Sequence, residues 1–239
     1  MTFAWLESML TMGEMAMPGG WTMSMMWMRM PGATWAGSAA SFLAMWTSMM
    51  VAMMLPSLTP TLWRYRRRVG AAGASRANGL AALVGVAYFL VWIAVGVVIF
   101  PAGALFGTIV MGQPALSRVV PVALGMMVLI AGAVQLTAWK ARHLACCRQE
   151  PVHGSASSLS ATDALRHGLR LGVHCSYSCS GLTMLLLALG VMDFRAMVAV
   201  TAAISIERLA PAGDRAARVI GTVAIMAGMF LIVRAAALA

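Results

Sequence analysis

Residues Leu80–Phe100 read LAALVGVAYFLVWIAVGVVIF, 21 positions without one charged side chain. A helix of that length rises roughly 32 Å, about the hydrocarbon thickness of a bilayer. Every backbone group bonds inside the helix, and the side chains want lipid. The stretch predicts a transmembrane helix, stopped by Pro101. Four similar stretches lie around it, and the charges between them set the limits. Spans are expected at about 35–62, 80–100, 119–139, 168–192 and 216–236.

Segment 193–210 decides the count. Asp193 and Arg195 interrupt an apolar run there. If Asp193 caps a new helix after a tight turn, 194–209 is a short sixth span. Charge counting agrees. With six spans, segments 64–79, 140–170 and 208–218 face one side and hold 13 of the 17 basic residues. Basic loops stay on the cytoplasmic side, so both termini are expected outside. The fold class is an all-α polytopic bundle of about six spans, residues 35–239, behind a head of residues 1–34.

Composition supports this reading. The chain of 239 residues is 61% hydrophobic and 10% charged, against about 25% charged in soluble domains. That excludes a soluble globular domain, a disordered chain and a disulfide-stapled secreted module. The net charge of +10 is explained by cytoplasmic loops meeting anionic headgroups, not by nucleic acid. The expected partner is the lipid bilayer, with a membrane protein complex or a metalloenzyme as the protein partner.

Methionine stands out. Ten of 23 fall within the first 31 residues, including the run Met23-x-Met25-Met26-x-Met28-x-Met30. Thioethers need no deprotonation and prefer soft cations, above all Cu(I). Met25 and Met28 are therefore candidate outer ligands. The alternative is an interfacial segment with Met as apolar filler, broken at Pro18-Gly19-Gly20 and anchored by Trp5, Trp21, Trp27 and Trp35.

Inside the spans, His174-Cys175-Ser-Tyr-Ser-Cys179 puts two thiols one turn apart on one helix face. Two thiolates so spaced can grip one soft ion, and His174 adds an imidazole. Buried cysteines are otherwise small hydrophobes, but this polar setting is a poor match for bare lipid. His143 and Cys147 form a second i, i+4 pair, whose alternative is a set of juxtamembrane, acylated cysteines. Met45, Met49 and Met53 share one face of the first span, a pattern that packing alone also produces. Met53 lies roughly 16 Å from Arg64 and Cys179 roughly 13 Å from Arg170 along their helices, so thioethers and thiols reach similar depth. Glu207 is expected in the headgroup layer, paired with Arg208 or another Arg, or else serving as a proton acceptor or hard ligand. No Ser/His/Asp constellation, phosphate loop or Rossmann fingerprint is present, so a non-enzyme is expected ahead of an enzyme.

The motifs have a family likeness. Ala52-Met53-Met54-Leu55-Pro56, Lys140 with His143-Leu144, Cys147 and Pro151, Cys175 with Cys179 before Gly190-Val191-Met192-Asp193, and Glu207-Arg208-Leu209-Ala210-Pro211 together resemble a bacterial family of predicted metal-binding integral membrane proteins. The likeness covers about residues 40–210. The chain departs from the family in having His143 and Ser178 where the family has Cys, and Ser180 where it has Trp. The resemblance implies a multi-pass inner-membrane protein that binds metal, with no established biochemical function.

Taken together, the donors predict a protein handling a soft metal ion, copper first, with zinc or iron as the other metals such donors take. Cys175, Cys179, His174, His143, Cys147, Met49, Met53, Met25 and Met28 are the candidate ligands. The ion would be transported or supplied to a partner metalloenzyme. The alternative is a non-catalytic accessory or assembly subunit of a larger membrane complex. A thiol–disulfide role would need the cysteines at the oxidising face, and the topology puts them near the other.

Overall fold

The computed structural model describes residues 14–17, 21–24, 34–70, 73–148, 160–190 and 193–238. Met25 and Met28 lie outside these residues. Among the described residues there are seven helices: α1 (Trp35–Val69), α2 (Ala74–Gly112), α3 (Pro114–Gln135), α4 (Ala138–Arg148), α5 (Ala161–Leu189), α6 (Phe194–Leu209) and α7 (Gly213–Leu238). Two short strands precede them, β1 (Glu14–Met17) and β2 (Trp21–Ser24). They pair antiparallel with Met15 opposite Met23 and Met17 opposite Trp21. The sequence reading did not foresee these strands. They flank Pro18-Gly19-Gly20, residues suited to a chain reversal. Trp21 Nε1 donates to the Ser117 carbonyl at 3.0 Å, docking the strand pair on the start of α3.

Side-chain caps set several helix starts. Thr34 accepts from Gly37 N at 3.1 Å at the head of α1. Ser160 and Asp163 form a reciprocal capping box before α5, which satisfies two orphan donors at once. Asp193 accepts from the amides of Arg195 and Ala196 and caps α6 as expected. Gly190, at φ +109, ends α5 in a conformation that side chains rarely adopt, so the tight turn before α6 has a local cause.

Two expectations need correction. Pro101 does not stop its helix, because α2 continues through it to Gly112. Proline removes one ladder bond, which a long apolar helix tolerates when its neighbours support it. The third span does not reach residue 139. α3 ends at Gln135, and Thr137 Oγ1 accepts from Lys140 N at 3.3 Å to start α4. A Thr in a charge-free run was read as helix interior, but its hydroxyl serves as a cap.

Among the described residues five helices are long and apolar enough to cross a membrane: α1, α2, α3 from Ala115, α5, and α7 to Ala237. α6 has 16 residues, roughly 24 Å of rise. Val98, Phe230 and Val233 are each more than 60% exposed, an outward apolar surface compatible with lipid.

Close backbone approach organises the interior. α3 and α7 form the most extensive contact. A side chain at Gly132 would meet Gly221 O at 2.8 Å, and one at Gly228 would meet Leu129 N at 2.7 Å. Between α2 and α5 the same device is tighter. A Cβ at Gly168 would stand 2.4 Å from Val84 O, and one at Gly172 would stand 2.9 Å from Tyr88 O. This small-xxx-small pair on α5 lets two backbones touch, and it sets α5 against the Tyr88 face of α2.

Gly168→Val is therefore expected to cost about 1–3 kcal/mol by overpacking. Gly79→Ala, where nothing lies within 4 Å, should be neutral or stabilising. Thermal unfolding in detergent measures both. Equal midpoints for the two variants would show that α2 and α5 do not depend on this contact.

Candidate metal site

α5 presents Cys175 and Cys179 one turn apart, with their sulfurs at 3.7 Å. Both are buried, and all four cysteines are free thiols. α4 runs beside α5 and brings in the second pair. His143 Nδ1 lies 2.9 Å from His174 Nδ1. At most one proton fits between these two nitrogens, so at least one ring offers a lone pair there. Trp139 and Tyr177 pack on the His143 ring, with centroids at 4.8 and 5.1 Å. One turn along, Cys147 Sγ stands 4.0 Å from Ser178 Oγ. Burial pushes the Cys147 thiol up to about 12, so it stays neutral at physiological pH unless a metal ion displaces its proton. Cys146, its neighbour, is exposed.

The methionine stripe turns inward. Met49 and Met53 are buried in the same apolar core as Cys147, Cys175 and Cys179. Register comes from one side chain. Arg208 of α6 donates through NH1 to Ser57 Oγ of α1 at 3.0 Å and to Cys175 Sγ of α5 at 3.3 Å. Met53 is one turn before Ser57, and Cys179 one turn after Cys175. α1 ascends in the opposite sense to α5, so thioether and second thiol rise on the same side of Arg208.

Sequence reasoning missed three members of this layer. Tyr88 OH lies 2.9 Å from Cys175 Sγ and 3.4 Å from Arg208 NH1. Tyr88 carries the lone hydroxyl of the 80–100 run, and that was the available signal. Arg208 is counted in the sequence only among the basic residues of segment 208–218 and as a partner for Glu207, and Ser57 draws no notice there. Glu207 also needs correction. It is buried at 2% exposure and pairs with Lys140 at 2.6 Å, not with Arg208. Gln135 donates to Glu207 Oε1 at 2.9 Å and accepts from Lys140 Nζ. Consecutive helical residues point about 100° apart, so Glu207 turns to α3 and α4 while Arg208 turns to α1, α2 and α5. Burial lowers the Lys140 pKa, with the Glu207 carboxylate opposing the shift.

Among the described residues no group of three or more His, Cys, Asp or Glu side chains is placed to hold one metal ion. The donors instead come as a thiol pair, an imidazole pair and neighbouring thioethers. That set suits a soft monovalent ion better than the four-donor cage of structural zinc.

The family model PpoB2, described as a copper chaperone, matches residues 43–231, more than three quarters of the chain. No curated protein and no solved structure matches it.

Breaking the inner ion pair should be costly. Glu207→Ala leaves Lys140 buried and unpaired, an expected loss of about 3–5 kcal/mol. The double variant Lys140→Met/Glu207→Leu should regain most of it, because no lone charge remains. Thermal unfolding of the three proteins in detergent checks this. A double variant as unstable as the single one would show that pairing is not what holds α3, α4 and α6 together.

Proposed function

The chain belongs to the copper chaperone family, and we propose that it carries Cu(I) within a membrane and supplies it to a copper-using partner. The observation that carries this reading is the buried Cys175–Cys179 thiol pair, set in one core with Met49 and Met53. Thiolates and thioethers select Cu(I) over harder ions. The ion would arrive through the methionine-rich head, with Met25 and Met28 among its ligands. It would rest between Cys175 and Cys179 under the thioethers. His143 and Cys147 on the adjoining helix, with His174 beside Cys175, offer the next donors. Zinc and iron are the metals to exclude.

The membrane is the bacterial inner membrane, with α6 as a sixth, short span and both termini outside. Support comes from five long apolar helices and from 13 of 17 basic residues falling in the segments that this arrangement places inside. In this arrangement Cys175 and Cys179 lie toward the cytoplasmic half. Close packing of Gly132 and Gly228 is used up within the chain between α3 and α7, which removes one argument for the accessory-subunit alternative.

Metal content by mass spectrometry, on protein purified in mild detergent, tests the proposal. Near-stoichiometric copper is expected after growth with copper, and the Cys175→Ser/Cys179→Ser variant should lose it. Copper retained in that variant would move the site elsewhere. No metal, with a partner co-purifying in fixed ratio, would favour the accessory subunit.

A further inference from the structure

We propose that Arg208 sets the charge selectivity of the thiol site, so that it accepts a monovalent ion and rejects a divalent one. This rests on Cys175 and Cys179 as the ligands proposed above. Arg208 is 7% exposed, and a guanidinium does not lose its proton in a protein. Its hydrogen-bond partners are Ser57, Tyr88 and Cys175, of which none is a carboxylate. The neighbouring Glu207 is already bonded to Lys140 and Gln135. Among the described residues, then, no carboxylate bonds Arg208; the acidic groups in contact with it are the Cys175 thiol and the Tyr88 hydroxyl.

The charge count follows from that. When Cu(I) binds, two S–Cu bonds form and two S–H bonds break, with both protons leaving to solvent. No electron moves. The ion and two thiolates sum to −1, and Arg208 brings the cluster to zero. A divalent ion on the same thiolates sums to zero, and Arg208 leaves a net buried +1. The empty site, with both thiols protonated, already carries the +1 of Arg208, so a monovalent ion cancels a buried charge on binding whereas a divalent ion leaves it in place. Other donors nearby agree with a negative centre. Tyr88 OH reaches the same sulfur, and the buried indole N–H of Trp92, one turn along α2 from Tyr88, is a second neutral donor on the Cys175 side.

The test uses the full chain in detergent, with Cu(I), Ag(I) and Cd(II) as probes. Ag(I) and Cd(II) are both soft d10 ions that differ in charge and in coordination number, so the change in their affinity ratio between variants isolates the charge of residue 208. Affinities are read by competition with chromogenic chelators. Arg208→Gln should weaken Cu(I) and Ag(I) by roughly a hundredfold and leave Cd(II) unchanged or tighter. Arg208→Lys, which keeps the charge, should hold the wild-type Ag(I)/Cd(II) ratio. An unchanged ratio in Arg208→Gln overturns the proposal. Should that variant fail to fold, wild-type protein still decides: Cd(II) held as tightly as Ag(I) overturns it, and strong Ag(I) preference retained in Arg208→Lys supports it. Wild-type protein that takes up no Cu(I), or a Cys175→Ser/Cys179→Ser variant that binds normally, defeats the ligand assignment itself and not merely the role of Arg208.

Discussion

Two consecutive buried charges, Glu207 and Arg208, organise the end of the bundle where the thiols sit. Neither can be left without partners in an apolar interior. Side chains next to each other on a helix cannot share one set of partners, so the requirement divides. Glu207 gathers Lys140 and Gln135, which pins the end of α3 and the start of α4. Arg208 gathers Ser57, Tyr88 and Cys175, which ties α1, α2 and α5 at one height. Six of the seven helices meet through this dipeptide. The thiol site is built on the Arg208 half, so its geometry is a by-product of satisfying a cation.

The glycines make that meeting geometrically possible. Tyr88 can reach Cys175 because Gly168 and Gly172 let α5 lie directly on the α2 backbone. Gly96 does similar work higher up. A Cβ there would stand 2.6 Å from the Trp46 ring, and Trp46 Nε1 donates to Trp92 O at 2.9 Å. That bond holds α1 to α2, and with it the face carrying Met49 and Met53. Small residues at the contacts therefore set the distances, and the polar dipeptide sets the height. Neither alone would bring a thioether and two thiols into one core.

The helices were legible in the sequence because charge-free length is a strong signal, and so was the Asp193 cap. Thr137 was not, because a lone Thr in an apolar run looks like interior until its hydroxyl is seen to accept from Lys140 N. Pro101 misled in the other direction, since a proline stops an isolated helix more surely than one with supporting neighbours. Among site residues, the i, i+4 spacing of Cys175 and Cys179 and of His143 and Cys147 was visible. That the two pairs would lie side by side was not. It depends on α4 turning back along α5, a tertiary fact that spacing does not carry. Arg208 was hidden for the same reason: at a helix end an arginine reads as a boundary charge.

A carrier must release what it binds, and the donor set bears on that. A four-thiolate cage fills every coordination position of its ion, whereas the proposed two-thiol site would leave positions open to an incoming ligand. Of the second donor set, His143 and Cys147 stand on α4, whereas His174 stands on α5 beside Cys175. A movement of α4 against α5 would therefore part the two imidazoles and carry Cys147 with it, without disturbing the thiol pair. Among the described helices α4 is the shortest, at 11 residues, and its start depends on Thr137 and on the Lys140–Glu207 bond. Buried Leu144 and Cys147 and the Trp139–Tyr177 ring contact seat the rest of it, so the place of the second donor set is fixed by apolar packing as well as by polar bonds.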